Sequence, residues 1–214
     1  MPEQWPLPRG TGNDKLDTPP RWDEAVDLLA LFDVERDAVS GKWQRADDRL
    51  ESNKQYGARI ELPYRPPDEY LLTVIAEPLD EPNGLILGQR LGGRRFLVLL
   101  NFAQGENLPA SAIENVDGRN VNNNATTLRA SLFHKDRPSA ISIAVREDSV
   151  TVTCDGREII HWTGDPSRLS LSDYWKTPND EALFLGAYDC RYRFHRVELV
   201  PITGTGQAIQ RKSP

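Results

Sequence analysis

A chain of 214 residues with 38% hydrophobic residues and a mean hydropathy of -0.56 suits one large all-β domain or a sandwich with short appendages, and leaves little room for two full domains. Its net charge of -6 and isoelectric point near 5.2 count against a sequence-independent nucleic-acid binder, whose affinity rests on a basic surface. No apolar run approaches the roughly 18 residues a transmembrane helix needs, and M-P-E-Q-W-P-L-P-R-G has none of the three parts of a signal peptide, so neither a membrane span nor an export address is expected and the compartment stays unassigned.

Residues 1–21 carry Pro2, Pro6, Pro8, Pro19 and Pro20 with Gly10 and Gly12, the composition of an extended linker. Thr18-Pro19-Pro20, followed by Trp22-Asp23-Glu24, starts a helix well, and Trp22, Val26 and Leu29 then share one face. A helix of about three turns fits this segment; Val26–Phe32 also fits a strand. From Gly41 onward the pattern is β. Strands are expected near Lys42–Arg45, Arg49–Glu51, Ala58–Leu62, Glu69–Glu77, Gly84–Leu91 and Arg94–Phe102. A second set follows near Thr127–Phe133, Ser139–Arg146, Ser149–Cys154, Glu158–Thr163, Ala182–Ala187 and Cys190–Pro201. Ile141, Ile143 and Val145 alternate with small or polar residues, as do Val150, Val152 and Cys154, so these strands have one dry face. Asp155-Gly156 and Gly92-Gly93 punctuate two tight hairpins. Many short strands with polar turns make a sandwich or barrel. The sandwich is expected over 22–203, with a polar tail over 204–214.

Two connections are long: Ala103–Thr126, rich in Asn and Gly, and Gly164–Glu181, which carries Trp175. Long loops in a compact domain are where function usually sits. The basic clusters Arg90–Arg95 and Arg191-Tyr192-Arg193 are local, and the second reads as a strand with its outward face charged. His134, His161 and His195 are scattered singly and no C-x-x-C occurs, which disfavours a zinc site. Cys154 and Cys190 suit either one bridge or two buried thiols.

G-x-W at Gly41–Trp43, I-x-L-P at Ile60–Pro63 and E-Y-L-L-T-V at Glu69–Val74 resemble the opening of bacterial modules with the concanavalin A-like (laminin G-like) jelly-roll. V-T-V-T-C-D-G-R-E-I-I-H-W-T-G-D and the closing F-L-G-A-Y with Y-R-F-H-R-V-E-L are similar to their second half. The resemblance covers about Val26–Ile202 and is nearest to uncharacterised bacterial domains grouped by the 3-keto-disaccharide hydrolases. It implies two curved antiparallel sheets, with carbohydrate held on the concave face or its rim loops in the lectins and glucanases of this fold. The E-x-D-x-(x)-E signature of the laminarinases is missing. Glu114-Asn115-Val116-Asp117, the nearest acidic string, has another spacing, which disfavours retaining glycosidase chemistry by that route. The cation loops of plant lectins have no clear counterpart.

Three readings of Asn115–Thr126 stay open. Asn, Asp and Gly form turns that cap their own backbone; amides, Asp117 and Arg119 also suit sugar hydroxyls; and the same oxygens suit Ca2+, the one cofactor considered. The candidate ligand-binding residues are Asn101, Asp117, Arg119, Asn123, Asn124, Trp162 and Trp175. The two tryptophans enter because sugar-binding proteins stack an aromatic ring on the apolar face of a pyranose, with core packing as the alternative. No catalytic residue and no metal ligand is assigned. The leading expectation is a non-catalytic recognition module for carbohydrate or another polar ligand. The alternatives are a hydrolase of a modified disaccharide and a structural or protein-interaction domain of a larger protein.

Overall fold

The structure, a computed structural model, describes residues 18–209. Most of the linker expected at the N-terminus and the last part of the C-terminal tail lie outside the described residues. Val26–Asp27 forms β1, Ala38–Ser40 β2, Trp43–Ala46 β3, Arg49–Ser52 β4, Ala58–Leu62 β5 and Tyr64–Arg65 β6. Glu69–Pro78 is β7, Leu85–Leu91 β8, Arg94–Phe102 β9, Ala110–Ile113 β10, Asn115–Val116 β11 and Leu128–Arg129 β12. Ser139–Arg146 is β13, Ser149–Cys154 β14, Arg157–Thr163 β15, Leu169–Ser170 β16, Leu183–Ala187 β17, Tyr192–Thr203 β18 and Gln207–Ala208 β19.

Two antiparallel sheets carry the fold. One runs β15-β14-β13-β7-β18-β4-β3 with β1 also on β18; the other runs β12-β10-β9-β8-β17-β5-β2. Period-two alternation aims Tyr70, Leu72 and Val74 of β7 and Tyr192 and Phe194 of β18 inward, and a bulge between Phe194 and Arg196 brings Val197 to the same side. They join Leu85 and Leu87 of β8, Phe96 and Val98 of β9, and Leu183 and Leu185 of β17 in one core, each fully buried. Each such side chain contributes roughly 1.5–3 kcal/mol of apolar burial, which is what presses the sheets together. Cys154 and Cys190 sit at its margin as free buried thiols, and burial pushes Cys154 up to about 12.

Both hairpins expected from dipeptides form: Leu91 pairs with Arg94 across Gly92-Gly93, and Cys154 with Arg157 across Asp155-Gly156. Asp155 and Gly156 have φ of 49° and 80°, the left-handed pair that a two-residue type I′ turn requires. A Cβ on Gly156 would meet nothing within 4 Å, so only the backbone resists substitution there. Gly156→Val is therefore expected to cost more than about 1 kcal/mol, read as a lowered denaturation midpoint at constant slope. An unmoved midpoint would overturn the turn assignment.

Besides the short strands β2, β6, β11, β16 and β19, which were not expected, three departures from the expected elements have a visible cause. The three-turn helix over Trp22–Phe32 does not form; 3-10 turns at Trp22–Glu24 and Leu29–Leu31 flank β1. The Leu28 amide donates to Val197 O at 2.8 Å, and the Leu29 amide to the Asp27 carboxylate at 2.9 Å, so pairing with β18 takes donors a helix would need. Helix α1 is instead one turn at Val34–Asp37, capped by the Asp33 carboxylate. Second, only Leu128–Arg129 of the strand expected over Thr127–Phe133 is regular. Third, β10 lies inside what reads as a loop. Its Ala-Ser-Ala-Ile is fully buried at every position, so no alternation betrays it. Among the described residues no helix is long and apolar enough to cross a membrane.

Candidate functional site

The middle of the outward face of the seven-stranded sheet is apolar. Ile86, Leu97, Leu99 and Phe184 form a second cluster there, separate from the main core. The two long connections cover it, with Val121 from the first and Trp175 from the second packed into the cluster.

Short polar contacts hold each connection down. Asn124 organises the first: its Nδ2 donates to Ile113 O at 2.7 Å and Asn120 O at 3.0 Å, and its Oδ1 accepts from the Thr126 amide and hydroxyl. In the second, the Asp165 and Ser172 side chains accept from the amides of Ser167 and Tyr174. The two are stitched together where β11 pairs with β16 and where Arg168 donates a fork to Asp117, at 2.9 and 2.6 Å. That guanidinium holds the Asp117 carboxyl below its usual range. Burial pushes the Glu114 carboxyl up, and the group it faces is the Trp175 indole.

At one edge of this covered face the aromatics come to the surface. Tyr188 follows β17 and lies 5.1 Å from Tyr56, 5.3 Å from Phe102 and 6.3 Å from Trp175, centroid to centroid. Tyr174 stands edge-on to Trp175 at 4.6 Å, with the Arg59 guanidinium 5.9 Å from its ring. Tyr56 is 65% exposed and Tyr174 52%, while Trp175 beneath them is 4%. Gly57 permits this: a Cβ there would sit 2.9 Å from the Tyr174 hydroxyl oxygen, and its φ is +77°. Arg59 fixes the loop by donating to the carbonyls of Tyr174 and Lys176. The result is a patch of phenol rings in which Tyr174 and Tyr188 pack against the buried Trp175 indole and Tyr56 packs against Tyr188.

The seven expected ligand contacts separate into two groups. Asn101, Asn124, Trp162 and Trp175 are buried. Asn101 takes a left-handed φ of 56° and ties two loops, donating to Pro82 O and accepting from the Leu132 amide. Trp162 belongs to the main core, where packing outweighs an unpartnered indole N–H. Asp117, Arg119 and Asn123 are exposed, and the Asp117 oxygens are taken by Arg168. Sequence reasoning missed Tyr56, Arg59, Phe102 and Tyr188. For Tyr174 the signal was present, since it neighbours the tryptophan that was chosen instead.

On the outer face of the other sheet an apolar cluster of Leu71, Val200 and Ile202 lies apart from a polar, self-paired group. Arg193 donates to Glu51 at 2.6 Å and to Glu77 at 3.3 Å, and His195 lies 2.7 Å from Glu77. Burial pushes Glu51 up, but hydrogen bonds from Arg193 and Gln44 outweigh it and hold the group below its usual range.

Comparison with known proteins finds likeness in fold. The chain matches no protein-family profile and no curated protein. Among solved structures, it superimposes on carbohydrate-binding module CBM66 from Bacillus subtilis with a TM-score of 0.51 and 10% identity, covering 77% of this chain and 94% of that one. The exoplasmic/lumenal domain of VIP36 in its Ca2+/Man3GlcNAc-bound form gives 0.55 and 10%, over 78% and 83%. A Bacillus subtilis protein of unknown function with a galectin-like fold gives 0.53 and 11%, over 82% and 94%. The fold is a concanavalin A-like sandwich. Identities this low carry the architecture and leave the site to be argued from its own residues.

Proposed function

We propose that this domain is a non-catalytic recognition module that binds carbohydrate on the platform of Tyr56, Tyr174 and Tyr188. The observation that carries this is two tyrosine rings more than half exposed, each packed against another aromatic ring that restricts its rotamers. Fixed tyrosines offer an apolar face to a pyranose and a hydroxyl to its neighbours at little entropic cost. Two solved structures alike in fold are described as a carbohydrate-binding module and a Man3GlcNAc-bound domain, which agrees with this reading. Arg119 and Asn123, exposed on the neighbouring connection, are proposed as polar contacts at the rim. Hydrolysis would instead call for two facing carboxylates. Glu114 faces an indole, and Asp117, the next acid along the chain, is tied to Arg168.

A glycan array followed by titration calorimetry on the best ligand tests this. Tyr56→Ala and Tyr174→Ala should each weaken binding by about tenfold, the equivalent of 1.4 kcal/mol, with the melting temperature of Tyr56→Ala unchanged. Unaltered affinity in both variants would sink the platform.

A further inference from the structure

The same strands end, away from the platform, in a cleft of about 390 Å³ lined by Arg90, Arg94, Arg95 and Lys176 together with Asp180 and Glu181. We propose that this cleft binds the oxyanion of an acidic saccharide, a carboxylate or a sulfate ester. The proposal rests on the carbohydrate reading above and names the class of sugar.

The β8–β9 hairpin places Arg90 directly opposite Arg95, with Arg94 beside the turn. Like charges facing each other across a strand pair are destabilising, and here three guanidinium groups fall within six residues of a chain whose net charge is -6. The carboxylates at the cleft do not neutralise them all. Asp180 is taken by Arg95 at 2.7 Å, and Glu181 pairs with Arg65 at 3.4 Å. Lys176 pairs with Asp173. Arg90 spends one nitrogen on the Glu181 backbone carbonyl. Among the described residues neither Arg90 nor Arg94 forms an ion pair. Arg94 acts on Asp165 only through space.

Arg95 is also held in place. It donates to Thr177 Oγ1 at 2.5 Å and Thr177 O at 3.2 Å, and its guanidinium lies 5.7 Å from the Phe184 ring centroid. Its side chain is 9% exposed, so its charge is fixed under the cleft floor, while Arg94 and the nitrogens of Arg90 not bonded to Glu181 O are left for a ligand. A guanidinium fork matches the paired oxygens of a carboxylate or sulfate. A saccharide is favoured over an acidic peptide because platform and cleft share one loop. Tyr174 belongs to the first and Lys176 to the second, and Arg59 bonds both backbone carbonyls.

Titration calorimetry of the full chain with tetragalacturonate, and with dextran sulfate beside unsulfated dextran, tests this at low and at moderate salt. Acidic ligands should bind at least about tenfold tighter than neutral ones, with the difference shrinking as salt screens the contact. Arg90→Gln and Arg94→Gln should each erase most of that difference and leave neutral-sugar affinity unchanged. Arg94 is exposed beside the turn, so its variant reads the charge even where Arg90→Gln unfolds the hairpin. Equal affinity for acidic and neutral ligands, or acidic binding untouched by Arg94→Gln, overturns the cleft and leaves the tyrosine platform standing. Poly-glutamate binding as tightly as tetragalacturonate, with Tyr56→Ala and Tyr174→Ala harmless, overturns the saccharide and with it the platform.

Discussion

Trp175→Ala is expected to lower stability by about 3–5 kcal/mol, the range for removing a large aromatic ring from a packed interior. The indole is 4% exposed and joins Val121, Phe184 and Leu97 in the cluster that closes the outer face of the seven-stranded sheet. Its removal leaves a cavity under two connections at once, and the edge-on contact with Tyr174 goes with it. Loss of glycan affinity in this variant would therefore follow from loss of the platform's support. Denaturant unfolding measures the cost. Trp175→Phe, which keeps an aromatic filler, should recover more than half of it. A cost below about 1 kcal/mol would mean that the ring is exposed in solution, as a direct ligand contact must be.

The architecture was legible because alternation marks a strand with one wet face, as in Ser149–Cys154, and a short apolar run between turns marks one covered on both, as in Arg94–Phe102. Ser139–Arg146, Ser149–Cys154, Ala58–Leu62 and Arg94–Phe102 coincide with the expected bounds. Dipeptides marked both hairpins for a local reason, since Asp155 and Gly156 need only their own backbone angles. Legibility failed where tertiary contacts decide. In β10 every residue is buried, which removes the alternation. Around Trp22–Phe32 the helix signals are local, but Val197 O on β18 claims the Leu28 amide.

The site was less legible, for one physical reason. Residue types suited to sugars are also those that fasten loops, and sequence does not say which side of a loop faces water. Tyr174 and Trp175 are adjacent, yet one is 52% exposed and the other 4%. The difference lies in the apolar sheet face below: the larger, more apolar ring gains more by covering Phe184 and Val121, and the phenol stays at the surface. Asn101 and Asn124 illustrate the same competition, their amides being used on backbone carbonyls. The basic cleft was visible only as Arg90–Arg95. That Arg90 and Arg95 face each other depends on cross-strand register.

Asn124 provides the second large effect. Its Nδ2 lies near four carbonyls, of Ile113, Asn120, Arg119 and Glu114, at 2.7, 3.0, 3.2 and 3.4 Å. An amide has two N–H groups, so the two shortest contacts are the ones it satisfies well. The other side of the group closes a relay: the Ile113 amide donates to Thr126 Oγ1, which donates to Asn124 Oδ1. Asn124→Ala strips Ile113 O of this donor inside a buried site and leaves the Thr126 hydroxyl without this acceptor. Each such orphan costs about 1–3 kcal/mol, so a total on the order of 3 kcal/mol is expected. Asn124→Asp separates this role from ligand contact. Aspartate preserves the acceptor for Thr126 but replaces both donors by a charge aimed at carbonyl oxygens, so it should be at least as damaging as alanine. At a solvent-facing sugar contact, aspartate would instead be mild. Hydrogen exchange over residues 113–127 reads the outcome directly. Fast exchange in both variants marks a fastener, and native protection in the aspartate variant would return Asn124 to the list of ligand contacts.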